Sequence, residues 1–198
     1  MLVSNHLLSL AEVTDLRTLK IYGLAEIEHR ISHQKVKMTL YVREYSNEKT
    51  IYSVVKDDKR HYLLGRITFL ALTTIAFHSV HMIEKVNIPA EERAYYFDGN
   101  RLRLSMFVDE LWCPGNEFYK GIGTALLNIA KEESLSRNCG GRLMLDAAQS
   151  SHGFYRKQKL KAMVGIKGWT PEEVDQKIQE RSPYTSSIGQ VLMYLPKN

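Results

Sequence analysis

The chain has 198 residues, 44% hydrophobic and 25% charged, with 27 Lys and Arg against 22 Asp and Glu. That balance excludes a disordered chain, and the length suits one large domain, or a domain with an added subdomain, around a real core. No apolar run approaches the ~18 residues that cross a bilayer, no basic-then-apolar start marks a secretory signal, and two cysteines make neither a disulfide framework nor a four-ligand zinc site. The expectation is a cytoplasmic protein with no membrane and no metal.

In chain order, Leu7, Leu10, Val13, Leu16, Leu19 and Leu24 predict an amphipathic helix over residues 7–31, broken at Gly23. From Val36 the pattern alternates (Met38, Leu40 and Val42 against Lys37, Thr39, Tyr41 and Arg43), and Ile51 to Val55 is β-branched and aromatic. A meander of strands is expected there, turning at Asp57–Arg60 and returning over His61–Phe69. Residues 70–85 fit strand or helix. Asp98-Gly99-Asn100 is a turn, and Arg101 to Cys113 reads as one long strand stopped at Pro114-Gly115-Asn116. Helical spacing starts at Gly121 and ends at Gly140-Gly141; Arg142–Ala147 is a short strand and Ser151–Lys159 a helix. Thr170-Pro171-Glu172-Glu173 is a capping box with proline at the first helical position, which opens a helix over 171–181. Gln190–Leu195 is a last strand. The sum is an α/β (α+β) chain built on one mixed sheet flanked by helices.

The chemistry concentrates where Leu111-Trp112-Cys113 leads through a short loop to Lys120-Gly121-Ile122-Gly123-Thr124-Ala125-Leu126-Leu127. A strand running into a glycine loop that opens a helix aims backbone N–H groups at the positive helix end, a cradle for pyrophosphate. A turn that merely needs glycine is the plainer alternative. The loop lacks the third glycine of a Rossmann fingerprint and the Gly-Lys-Ser/Thr of a P-loop.

The segment resembles motif A of the GNAT acyltransferase superfamily, Arg/Gln-x-x-Gly-x-Gly/Ala after a Leu-x-Val strand end. A second block agrees: Leu143-Met144-Leu145-Asp146-Ala147 and His152-Gly153-Phe154-Tyr155-Arg156-Lys157 look like the family's next strand and its Phe-Tyr-x-Lys segment. Together the blocks cover residues 102–161, in order and at suitable spacing. Three positions depart from the pattern. Phe118 stands where the motif has Arg or Gln, Ala148 where many members have Asn, and Lys159 where a glycine usually follows the Phe-Tyr helix.

The resemblance implies a single GNAT-like domain over 1–198, with an N-terminal helical segment (1–35), an acyl-CoA-binding core (102–161) and a helical insertion (166–185). It implies a central mixed β-sheet flanked by helices, and transfer of an acetyl group from acetyl-CoA to an amine by direct attack in a ternary complex. Leu111, Trp112 and Cys113 would offer main-chain groups to the pantetheine arm. Phe118, Tyr119, Lys120, Gly121, Ile122, Gly123 and Thr124 would hold the pyrophosphate.

Tyr155 would protonate the leaving thiolate, its phenol being neutral near pH 7; a tyrosine packed beside Phe154 is the alternative. Asp109 and Glu110 are the candidate bases, of which at most one faces an acceptor, since neighbouring strand residues point to opposite sides. His29/His33 and His78/His81 could share helical faces without a third ligand, Cys113 reads as packing, and His152 as a surface residue or one that orients the acceptor. The acceptor would be an amine-bearing small molecule or protein. The spread basic residues disfavour nucleic acid other than tRNA, and a homodimer is open to such a chain. Two other readings stand beside this one: a non-catalytic acyl-CoA-binding or interaction module, and an enzyme drawing on acyl carrier protein, as acyl-homoserine-lactone synthases do.

Overall fold

The computed structural model describes residues 16–57, 60–73, 86–166, 168–180 and 189–197. The chain divides into two compact units, one of residues 1–70 with 109–130, the other of 71–108 with 131–198.

The first unit is a β meander. Strands β1 (Lys20–His29), β2 (Lys35–Tyr45), β3 (Glu48–Asp57) and β4 (Arg60–Leu72) pair antiparallel in sequence order. Strand β7 (Ser105–Trp112), which belongs to this unit from Asp109 on, lies beside β4, and the two-residue β8 (Tyr119–Lys120) closes the other edge against β1. Cross-strand partners share a face. Leu40 with Ser53 and Ile51 with Ile67 therefore point one way, while Tyr41 with Tyr52 and Val54 with Leu63 point the other. Both faces are covered. Tyr41, Val54 and Leu63 are buried with Leu16, against which Leu19, Tyr52 and Trp112 pack. On the opposite face, helix α2 (Ile122–Ser136) brings Leu126 against the position of Gly65. Coverage on both sides explains why Ile51–Val55 has no polar alternation to speak of.

The expected helix over 7–31 is corrected here. Only Leu16–Thr18 is helical, Lys20–His29 is a strand, and residues 7–15 lie outside the described residues. Leu16 and Leu19, which set the helical spacing, instead pack on the sheet, and Leu24 is 63% exposed. The charges fit a strand: Glu26 faces Lys37 and Glu28 faces Lys35 across the ladder, and Lys35 Nζ lies 3.3 Å from the Glu26 carboxylate.

In the second unit, helix α1 (Ala90–Tyr96) leads into the hairpin β5 (Phe97–Asp98) and β6 (Arg101–Leu102), which turns at Gly99 in the left-handed region. The long strand expected over Arg101–Cys113 is interrupted, because Arg103 N–H donates to Tyr96 O and Ser105 Oγ to Arg103 O before β7 begins. The first half of β7 pairs parallel with β9 (Leu143–Ala147), from Met106 opposite Leu143 to Val108 opposite Leu145. Strands β11 (Val191–Tyr194) and β10 (Lys161–Ala162) add antiparallel beyond β9. The sheet is thus mixed. Tyr96, fully buried, ties it together: its hydroxyl lies 2.7 Å from Leu195 O and accepts from Leu143 N–H at 3.0 Å. Helix α3 (His152–Lys157) follows a 3-10 turn after β9, and helix α4 (Pro171–Gln179) starts with the expected capping box, both reciprocal bonds being present. The segment 74–85, ambiguous in sequence, lies outside the described residues. No helix among the described residues is long and apolar enough to cross a membrane.

Strand β4 carries a bulge. Ser53 pairs with Gly65 and Val54 with Leu63, so Leu64 is an extra residue. A Cβ on Gly65 would stand 2.8 Å from Trp112 O and 3.2 Å from Leu126 Cδ1. Gly65→Ala should therefore force the backbones of β4 and β7 apart and destabilise the fold by ~1–3 kcal/mol, read as a lower denaturant midpoint at unchanged m-value.

Candidate functional site

The glycine loop leaves β7 at Trp112 and reaches α2 ten residues later, at Ile122, and its first part is spent on structure. Asn116 Oδ1 accepts from both Phe118 N–H and Tyr119 N–H at 2.9 Å, an Asx turn. Phe118 O accepts from Arg30 N–H at 2.7 Å, and Arg30 Nε donates to Asn116 O and Tyr119 O. The His29 ring stacks on Phe118, centroids 6.4 Å apart, and meets Tyr119 edge-on. Lys120 completes β8 and its ammonium lies 2.8 Å from Glu28, whose carboxyl is held below the usual range by Lys120 first and by His33 second. Of the seven residues expected to hold a pyrophosphate, Phe118, Tyr119 and Lys120 are thus tied to β1.

Gly121 to Thr124 forms the helix start, with Gly121 exposed, Ile122 buried and Gly123 and Thr124 half-buried. Gly121 has φ +90° with open space where a Cβ would be, and its carbonyl takes the first helical bond, from Ala125 N–H at 2.9 Å. A helix N-terminus usually carries Asp or Glu in its first turn to offset the dipole. The first turn of α2 carries no acidic residue. A cleft of about 510 Å³ opens alongside, lined by Gly121 and Thr124 with Glu26, Glu28, Lys35 and Lys120 among its charged groups.

Leu111 and Trp112 are half-buried on β7. Cys113 is exposed as a residue, yet burial of its sulfur pushes the thiol up, partly offset by Gly123 N–H; the thiol lies 3.9 Å from Leu64 O. A raised thiol is a poor nucleophile, which agrees with a packing role.

Glu110 and Asp109 separate as neighbouring strand residues must. Glu110 forms a bidentate pair with Arg66, Nε to Oε2 at 2.8 Å and Nη2 to Oε1 at 2.9 Å, and the guanidinium sits 5.6 Å from the Trp112 ring centroid. Asp109 is exposed. Arg66 had no signal in the sequence, because its partner is 44 positions away; Asn116 had one, an Asn just ahead of a strand end.

In the second unit, Tyr155 is buried on α3, edge-on to Phe154, and burial pushes its phenol up to about 12. His152 is buried rather than at the surface. Its Nε2 lies 3.1 Å from Ala147 O, and burial lowers its pKa. The His29 and His33 pair does not share a helical face: His29 ends β1, and His33 sits in the turn after it, bonded to Glu28 at 2.7 Å. His78 and His81 lie outside the described residues. Among the described residues no group of three or more His, Cys, Asp or Glu could hold a metal ion.

Helix α3 ends in a Schellman motif: Leu160 N–H donates to Tyr155 O and Lys159 N–H to Arg156 O, with Lys159 at φ +70°. The backbone keeps the glycine conformation although the residue is lysine. Lys159→Gly should relieve the left-handed strain, in part offset by greater freedom of the unfolded chain, and raise stability by up to about 1 kcal/mol in chemical denaturation.

No described protein family matches the chain, and no curated protein does. Among solved structures it is similar to Chaetomium thermophilum Naa20 in complex with a bisubstrate analogue, at 13% identity and a TM-score of 0.43. The match covers 73% of this chain and 65% of that one, and so distant a likeness adds nothing to what the residues themselves support.

Proposed function

We propose that the protein is an acyl-CoA-dependent N-acyltransferase of the GNAT type that moves an acetyl group from acetyl-CoA to an amine. The observation that carries this reading is the start of α2: a strand end, a left-handed Gly121, and a helix N-terminus with no acidic residue in its first turn. Pyrophosphate is the ligand such an end favours, since backbone donors and the helix dipole both act on it. The resemblance of the second block adds the acid. A phenol raised to about 12 stays protonated at neutral pH, and a leaving thiolate needs such a donor. On this reading the amine nitrogen attacks the thioester carbonyl, the carbon–sulfur bond breaks, Tyr155 protonates the departing sulfur, and the acceptor's ammonium proton passes to solvent or a base.

The occupied Phe118 and Tyr119 amides favour a second reading, a module that binds acyl-CoA without turning it over. Measuring thiol release from acetyl-CoA across a panel of amines separates the two.

Gly123→Val puts a branched side chain where the pyrophosphate would meet the main chain. Acetyl-CoA affinity by calorimetry should fall at least tenfold, ~1.4 kcal/mol; unchanged affinity would remove the cofactor assignment. Tyr155→Phe keeps the ring and deletes the proton. Cofactor binding should survive while kcat drops by a factor on the order of 10², and an unaffected kcat would return Tyr155 to the core.

A further inference from the structure

The bulge at Leu64 has a directional effect on β4. With Leu63 on the face of Val54, simple alternation would send Arg66, three residues on, to the opposite face. The extra residue returns it to the face of Tyr52, its cross-strand partner. There Arg66 meets Glu110 in a two-bond fork and lies over the Trp112 indole. Both side chains of the fork are 41% exposed, so the pair is open to a ligand. Trp112 is also in the strand end that the acyltransferase reading assigns to the cofactor.

We propose that this fork is the acceptor-recognition site and that it selects a zwitterion, an amino acid, whose carboxylate takes Arg66 while its ammonium takes Glu110. The inference rests on the acyltransferase reading for the fate of the ligand, but not for its binding. Charge balance carries the argument. An acceptor bearing only an ammonium could take Glu110 only by stripping Arg66 of its anion and placing a second cation beside the guanidinium. A polyamine does this worst of all. A zwitterion exchanges one neutral pair for two, and a guanidinium accepts a carboxylate in the same bidentate geometry that Glu110 now provides. The half-buried Tyr52 and Trp112 rings flank the pair, reduce its exposure to water, and give an apolar portion of the acceptor a surface.

The test uses the full chain without cofactor, with tryptophan fluorescence and calorimetry as readouts. The probes are the twenty amino acids and, for each that binds, the amine left by removing its carboxylate. At least one amino acid should bind, its decarboxylated amine at least tenfold more weakly. Arg66→Gln should erase that difference, whereas Glu110→Gln should weaken amino acid and amine alike. Absence of binding by every amino acid, or equal binding of the paired amines, would overturn the proposal. The wild-type comparison decides alone if either variant fails to fold. If amino acids bind and no acetyl-CoA does, the acyltransferase reading fails and the zwitterion site stands; if acetyl-CoA binds and amino acids do not, the reverse holds.

Discussion

The approach of β4 to β7 at Gly65 sets the geometry of the first unit, because nothing larger than a hydrogen fits between that Cα and the carbonyl of Trp112. Three consequences meet at this point. Trp112 and Cys113 are held against β4, with the Cys113 thiol directed to Leu64 O. Leu126 of α2 packs down onto the same position, which fixes where the helix begins relative to the strand that feeds it. The bulged Leu64 next door, itself buried, turns Arg66 toward Glu110. A bulge normally loosens a ladder. Here the loss of one pairing is offset by a close backbone contact that only glycine permits.

The loop between β7 and α2 divides into two halves with different physics. Its first half satisfies its own backbone: Asn116 takes two amides, and Arg30 takes two carbonyls through its side chain and one through its main chain. A buried or partly buried loop must pair these groups somewhere, and here β1 supplies the partners. The second half meets the helix end, where the positive pole of the dipole lies and Gly123 N–H meets the Cys113 thiol. An anion at this end would be held by few residues. The side chain at position 118 cannot replace the missing contact of an Arg or Gln, since Phe118 has no donor and is stacked on His29.

What could be read from the sequence was what is local. The capping box at Thr170, the turn at Gly99 and the strand–glycine–helix step at Gly121 each rest on residues within a few positions, and each is present. The meander from Lys35 to Leu72 was legible by alternation and β-branching. Strand β1 was not, because neither of its faces is fully covered: Ile27 is its one buried residue, and Ile21 and Leu24 are exposed. The period-2 signal is then weak, and nearby leucines that serve another face imitate a helix. Strands β8 and β10, two residues each, carry no periodicity at all. The Arg66–Glu110 fork depends on a bulge and on strands 44 residues apart, and neither leaves a mark in the order of residues.

The groups singled out for proton handling are given opposite characters by their surroundings. Burial raises the Tyr155 phenol to about 12, so its proton stays on the oxygen through the neutral range. Such a group donates; it does not act as a base. Glu110 is in the contrary situation. Both of its oxygens accept from the Arg66 guanidinium, whose own pKa is raised by that bond. Asp109 has no such clamp among the described residues, and alternation along β7 puts it on the other face from Glu110 and Trp112. On the acyltransferase reading the proposed acid and the proposed acceptor pair thus differ in kind: the phenol is shaped by burial, the carboxylate by a facing charge.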